Sequence, residues 1–211
     1  MEPHADQPVA TAGRPLGEGT AVLILVHGRG AGPGNILELA DALPHPEFTY
    51  LAPAAAGNTW YPNSFMADIP SNEPGISSGL AVIDGLVGRA MDGGVPKERI
   101  VLAGFSQGAC LMAEYAVRHA RRYGGILAFS GGLIGPPGTA WSYEGDFAGT
   151  PAFFGCSDVD AHVPRTRVDE SAEVLEAMGA EVEKRIYPGM GHLINDDEIA
   201  FARTVLEAVG S

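Results

Sequence analysis

The chain predicts an α/β fold in which a mostly parallel central sheet carries helices on both faces. Two observations lead there. Short apolar runs rich in Val, Ile and Phe, bounded by Gly or Pro, recur along the whole sequence at 21–26 (AVLILV), 48–52 (FTYLA), 100–103 (IVLA), 125–129 (GILAF) and 151–155 (PAFFG). Runs of that length and composition read as strands buried on both faces. Between them lie stretches whose apolar residues recur at helical spacing, and alternating βα units with right-handed crossovers build a parallel sheet.

Taken in order, the first 15 residues carry three prolines and read as an arm or an antiparallel edge strand. After the strand at 21–26, Ile36, Leu39, Ala40 and Leu43 form the first helical stripe. A second stripe, Ile76, Leu80, Ile83 and Val87, precedes the strand at 100–103, and a third, Ala109, Cys110, Ala113, Ala116 and Val117, follows it. Val168, Ala172, Leu175 and Met178 make a fourth stripe that stops at Gly179, a left-handed helix end, and 181–187 returns as a strand. The last helix starts after Asn195, with Glu198 at the capping-box position, and presents Ile199, Ala202, Leu206 and Val209. Two segments, 53–75 and 131–150, are long, irregular, rich in Gly and Pro, and carry both tryptophans. Long loops in compact domains are often functional. With 211 residues and 45% hydrophobic content, the expectation is one domain over 1–211 with no large cap.

Composition narrows the partners. A formal net charge of −13 argues against nucleic acid and anionic membrane surfaces, which need clustered Lys and Arg. The N-terminus lacks a basic region followed by an apolar stretch, and AVLILV is too short to span a bilayer, so the reading is a soluble, cytoplasmic protein. Cys110 and Cys156 each sit in an apolar segment and read as reduced, buried thiols.

In such a sheet, ligands bind beyond the carboxyl ends of the strands. Four polar clusters follow strands: HGRGAGPG from His27, GFSQG from Gly104, CSDVDAHVP from Cys156 and PGMGH ending at His192. GFSQG fits G-x-S-x-G, in which a serine occupies a strained strand-to-helix turn, so Ser106 is the candidate nucleophile. A serine hydroxyl needs a base, usually an imidazole oriented by a carboxylate. Of six histidines, His4 and His45 lie in Pro-rich segments that read as exposed, and His119 falls on a solvated helix face beside arginines. His27 precedes the Gly-rich loop and reads as a backbone partner. His192, in a loop between the last strand and last helix, completes the order Ser, Asp, His. DVDAH offers Asp158 and Asp160 as the acid, with His162 beside them; D-x-D-x-H lacks the ligand spacing of a metal site, and no metal or cofactor is expected. The acidic run Asn195 to Glu198 suits a helix N-terminus. The N–H groups of Gln107 and Arg29 are the candidate oxyanion donors. HGRG cannot be a dinucleotide loop, because residue 33 is Pro where a third Gly is needed.

Together, LVHGRG, GFSQG, DAHVP and GMGH resemble the phospholipase/carboxylesterase family of α/β-hydrolases, which includes bacterial carboxylesterases and acyl-protein thioesterases. The resemblance runs through nearly the whole chain after the arm. It implies the α/β-hydrolase fold, with Ser106 as nucleophile, His192 as base and Asp160 as acid, since Asp160 opens D-x-x-V-P; counting forward from Gly155 would favour Asp158 instead. It implies that NTWYPNSFM is an aromatic loop whose Trp60 and Tyr61 wall the substrate pocket, the alternative being that they anchor a long loop. Arg29 is a candidate for attracting an acidic substrate group, or is solvated. The implied activity is hydrolysis of carboxylic esters, of short-to-medium acyl chains, thioesters or lysophospholipids, through an acyl-enzyme. Two alternatives stand beside it: a dienelactone hydrolase, although those carry Cys at the elbow where this chain has Ser106, and a ligand-binding protein without catalysis. A homodimer fits the resemblance, though no apolar stripe demands a partner.

Overall fold

The structure, a computed structural model, describes residues 2–211. Seven strands form one sheet: β1 (Val9–Gly13), β2 (Ala21–Val26), β3 (Phe48–Pro53), β4 (Ile100–Phe105), β5 (Gly125–Phe129), β6 (Pro151–Ser157) and β7 (Glu181–Tyr187), in the order β1-β3-β2-β4-β5-β6-β7. Every pairing is parallel except that of β1 with β3, where Val9 faces Pro53 and Gly13 faces Thr49. The Pro-rich beginning is thus the antiparallel edge strand that its sequence allowed.

Five α-helices cover the sheet: α1 (Pro33–Ala42), α2 (Gly75–Asp92), α3 (Gln107–Arg118), α4 (Arg165–Ala177) and α5 (Asp196–Gly210). Side chains alternate across a strand, and β2 shows the result. Val22, Ile24 and Val26 belong to the core layer shared with α2, α3 and α4, whereas Ala21, Leu23 and Leu25 belong to the layer shared with α1 and α5. All six are fully buried, which is why β2 reads as an unbroken apolar run rather than an alternating one. β7 lies at the opposite edge and carries Glu183, Lys184 and Arg185, charges that discourage pairing with another chain. Strands β4 and β6 run two residues further than their apolar cores, bringing Phe105 and Ser157 to the carboxyl edge.

Two expectations about histidines need correction. His4 is buried: its N–H donates to Ser78 Oγ (3.0 Å), its Nδ1 accepts from the Ala56 N–H (3.0 Å) and its Nε2 bonds the Trp60 carbonyl (2.8 Å). The arm folds over the 53–75 segment, a contact that local sequence does not contain. His45 is half-buried against Phe48, whereas His119 keeps 37% of its side-chain surface exposed on its helix face while stacking on Tyr115 at 4.5 Å.

The capping box of α5 forms as expected. Asn195 Oδ1 accepts from the Glu198 N–H, and Glu198 Oε2 accepts from the Asn195 N–H at 2.8 Å. Glu198 is fully buried, however, and its Oε1 has no partner among the described residues. Burial raises its pKa to about 7, opposed by the Asn195 N–H and assisted by the charge of Asp197. A carboxylate whose folded pKa exceeds its unfolded one loses stability as pH rises through the folded value. Glu198→Gln keeps the shape and removes the charge. Its advantage over the parent in chemical denaturation is expected to grow by about 1–2 kcal/mol between pH 5.5 and 8.5; a pH-independent difference would refute the assignment.

Candidate active site

Ser106 ends β4 and begins the turn into α3 with φ 55° and ψ −120°, a left-handed conformation that is costly for a residue with a Cβ. The turn is enforced by close approach. A Cβ on Gly108 would lie 2.1 Å from the Val26 carbonyl oxygen, and one on Gly104 would lie 2.7 Å from backbone atoms of Gly108 and Ala109. These glycines let α3 begin directly against the ends of β2 and β4, and Ser106 is lifted above the sheet edge. Its N–H donates to Phe129 O and its own carbonyl accepts from the Cys110 N–H, both at 3.0 Å.

The loop after β7 brings His192 to this edge. Nε2 lies 2.8 Å from Ser106 Oγ, and Nδ1 lies 2.7 Å from Asp160 Oδ2. Asp160, in the turn after β6, has a fully buried side chain; its Oδ1 accepts the N–H groups of His162 (2.8 Å) and Val163 (3.0 Å). Burial works to raise its pKa, but the bond from His192 and the two backbone donors outweigh it, so the carboxyl stays below its ordinary range. The two candidate acids therefore separate: Asp160 meets His192, and Asp158 accepts the Gly189 N–H at 2.7 Å. Ser157 Oγ accepts the Gly191 N–H at 3.1 Å, so the end of β6 holds the His192 loop at three points. His162 does not join a ligand cluster with these carboxylates; its ring sits edge-on to His192 at 4.7 Å.

Gln107 opens α3, and its N–H is among those a helix N-terminus leaves without an intrahelical partner. Outside their own elements, neither it nor the Arg29 N–H donates to a protein backbone acceptor among the described residues. Both residues line a cavity of about 470 Å³ together with Ser106 and His192. The Gln107 side chain has a second task, which sequence reading missed. Its Oε1 accepts the Trp60 N–H (2.9 Å) and its Nε2 donates to the Tyr61 carbonyl (2.8 Å), pinning the aromatic loop to the elbow.

Tyr61 lines the cavity as expected. Trp60 does not, and the expectation that it walls the pocket is corrected. Its indole is fully buried between the rings of His4 and His27, at 5.2 and 5.1 Å, and Nε1 donates to the His27 carbonyl at 2.9 Å. A large ring with one N–H donor buries best where a carbonyl waits for it. His27 behaves as a backbone partner: Nε2 accepts the Ala55 N–H (3.1 Å), so Nδ1 is the donor to Gly28 O (2.8 Å), and burial lowers its pKa. The Arg29 guanidinium is exposed but not free, since Nη1 and Nη2 donate to the carbonyls of Pro62 (2.8 Å) and Asn63 (2.6 Å). Phe65, Phe105, Cys110 and Val163 complete the apolar lining. Three of them stood inside the motifs already noticed, Phe105 within GFSQG, Val163 within DAHVP and Phe65 within NTWYPNSFM, although Phe65 was not singled out there. Cys110 and Cys156 are free, buried thiols, each pushed up to about 12 mainly by burial.

A seven-stranded, mostly parallel sheet with a strained serine elbow at its carboxyl edge, facing a histidine from the loop after the last strand, defines the α/β-hydrolase class. Within that class the chain belongs to the phospholipase/carboxylesterase family, which it matches over residues 10–209. It is similar to acyl-protein thioesterase 1 of Gibberella zeae, 33% identical over 127 residues that make up 59% of this chain and 54% of that protein. The same protein of Eremothecium gossypii is 30% identical over 64% of this chain and 59% of its own length. The chain thus spans little more than half the length of these curated relatives. The crystal structure of a phospholipase/carboxylesterase from Dyadobacter fermentans is similar throughout, with a TM-score of 0.92, 43% identity, and coverage of 98% of this chain and 99% of that one. Among the described residues no helix is long and apolar enough to cross a membrane.

The elbow makes a paired prediction. Gly108→Ala forces backbone apart and is expected to lower the unfolding free energy by about 3 kcal/mol or more. Gly88→Ala, in the middle of α2 where a Cβ meets nothing within 4 Å, is expected to raise it by about 0.5–1 kcal/mol. Urea denaturation of both variants measures the contrast, and equal effects would refute the steric account.

Proposed function

We propose that this chain is a metal-independent serine hydrolase of carboxylic esters, with Ser106 as nucleophile, His192 as general base and Asp160 as the orienting acid. The observation that carries this reading is the unbroken chain Ser106 Oγ, His192 Nε2, His192 Nδ1, Asp160 Oδ2, with links of 2.8 and 2.7 Å. Such links are within proton-transfer reach.

In the proposed reaction Ser106 Oγ bonds to the ester carbonyl carbon while its proton passes to His192 Nε2. The carbonyl oxygen becomes an oxyanion facing the Arg29 and Gln107 N–H groups, which stand preorganised and cost no rearrangement. The bond from carbon to the leaving oxygen, or sulfur in a thioester, then breaks as Nε2 gives up its proton to that atom. Water attacks the acyl-enzyme, its proton goes to Nε2 and from there to Ser106 Oγ, and a carboxylic acid leaves. The buried Asp160 keeps Nδ1 as the protonated nitrogen and stabilises the imidazolium. The cavity of about 470 Å³ accommodates a short-to-medium acyl group beside Tyr61, Phe65 and Val163.

Ser106→Ala and His192→Ala are each expected to lower hydrolysis of p-nitrophenyl esters by on the order of 10³-fold or more with folding intact. Near-native activity in either would overturn the mechanism. Asp160→Asn is expected to lose at least about tenfold more activity than Asp158→Asn, because an asparagine at 158 can still accept the Gly189 N–H while one at 160 sets the wrong imidazole tautomer; the reverse ranking would reassign the acid. Covalent labelling of Ser106 by a fluorophosphonate separates this reading from a binding protein, whose serine would not react.

A further inference from the structure

Two hollows meet at Ser106's edge of the sheet, and the reaction uses them differently. The first is the cavity already described, which touches Ser106, Gln107 and Cys110. The second, about 690 Å³, runs between α1 and the chain just after His192 and is walled by Ile36, Leu39, Phe105, Leu193 and Ile194. It shares Gly28, Arg29, Ala31, Phe105 and His192 with the first, but touches neither Ser106 nor Gln107. The rings of Phe105 and His192 are 4.9 Å apart and tilted by 39° along this shared boundary.

In acyl transfer the acyl carbon is fixed at Ser106 Oγ and its oxygen at the oxyanion donors. The leaving atom must instead be within reach of the imidazole that protonates it. A hollow that opens on His192 and not on Ser106 is therefore on the leaving-group side. Its walls say what kind of leaving group. Ile36 is buried, Leu39, Phe105 and Ile194 are half-buried, and Leu193 is 46% exposed at the rim, one of three large hydrophobic residues so exposed among the described residues. Its charged members are Arg29, whose exposed guanidinium donates to carbonyls of Pro62 and Asn63 that line the first cavity and not this one, and the exposed Glu38, whose carboxylate offsets that charge and repels an anion. Resting on the hydrolase reading above, we propose that this second hollow is the leaving-group subsite and takes a neutral, apolar alcohol, alkyl or aryl, in preference to a phosphate-bearing one. The substrates it fits are esters of such alcohols rather than lysophospholipids, whose leaving group is a polar phosphodiester.

The test uses two ester series, acetates of ethanol, butanol, hexanol and octanol, and ethyl esters of acetic, butyric, hexanoic and octanoic acids. All acetates share one acyl-enzyme, so differences in kcat/KM among them report the alcohol alone. The variants are Leu39→Asp and, because Leu193 is exposed and its replacement leaves the core intact, Leu193→Asp. Met91→Asp serves as control; Met91 is 42% exposed on α2 and lines neither hollow. In the parent, kcat/KM is expected to climb along the alcohol series. Each subsite variant is expected to lower the octyl-to-ethyl acetate ratio of kcat/KM about tenfold, the scale of losing a few methylene contacts, while the octanoate-to-acetate ratio of ethyl esters shifts less than about twofold. The control should leave both ratios alone. If instead the acyl ratio falls and the alcohol ratio holds, the hollow binds the acyl chain and the proposal is overturned; if neither ratio moves, the hollow is unused and it is equally overturned. Faster turnover of 1-acetyl-glycerophosphocholine, which forms the same acetyl-enzyme, than of octyl acetate would overturn the choice of leaving group. Absence of Ser106-dependent turnover throughout both series would instead bring down the hydrolase reading itself, and the subsite with it.

Discussion

The constraint on which the rest depends is the contact between the start of α3 and the end of β2. Gly108 lies so close to the Val26 and His27 carbonyls that any side chain would occupy their place. The consequences spread outward from that contact. Ser106 is driven into a left-handed conformation because the chain must reverse from β4 into α3 within one residue. The segment following β2, with Gly28 and Arg29, comes to lie beside the elbow, so Arg29 and Gln107 line one cavity with Ser106. The Gln107 side chain then reaches the Trp60 N–H and the Tyr61 carbonyl, and the aromatic loop inherits its position from the elbow.

The two long irregular segments are ordered by side chains that act as hubs rather than by secondary structure. His4 and Gln107 satisfy backbone groups of the 53–75 segment from opposite sides, with Trp60 between them. Arg167 of α4 does the same for the second segment. It is fully buried, its Nη1 donates to the carbonyls of Leu133 and Gly135 at 2.8 Å, and its guanidinium packs over Trp141 at 4.8 Å and Phe65 at 5.7 Å. A guanidinium can serve several carbonyls and stack on aromatic faces at once, which a lysine cannot. It therefore joins both segments to one helix, and Phe65, which it touches, is part of the cavity wall.

This division explains what could be read in the sequence. Strands buried on both faces announce themselves by composition, and β2, β4 and β5 were visible because nothing but apolar residues fits between two helical layers. The elbow was visible because its whole pattern lies within five residues, even though the backbone that Gly108 makes room for belongs to the end of β2. The α5 capping box was visible for the same reason, whereas the burial of Glu198 against Gly155 was not, since it depends on β6 lying beneath. Asp158 and Asp160 could not be separated by counting alone, because both occupy one turn and which carboxylate points at His192 is decided by the fold. Trp60 and His4 failed for the reason that makes hubs hard to see. They face each other across 56 residues of chain, and neither neighbourhood predicts the other.

The asymmetry of the two hollows also bears on the second half of the proposed reaction. The Asp160 side chain is wholly buried, while that of His192 keeps 20% of its surface exposed. Desolvating the carboxylate while leaving the imidazole reachable strengthens the bond that fixes the tautomer without closing the route to Nε2. When the alcohol departs, the space it vacates lies on the side of His192 and water can enter it. The acyl group, held against Tyr61 and Phe65 in the other hollow, does not have to move. Water thus takes the place of the leaving group, and the base that protonated one deprotonates the other from an unchanged position. Microscopic reversibility asks for this arrangement of any acyl-enzyme pathway with a single imidazole. Placing the leaving-group hollow beside His192 and the acyl hollow beside Ser106, as proposed, meets that requirement.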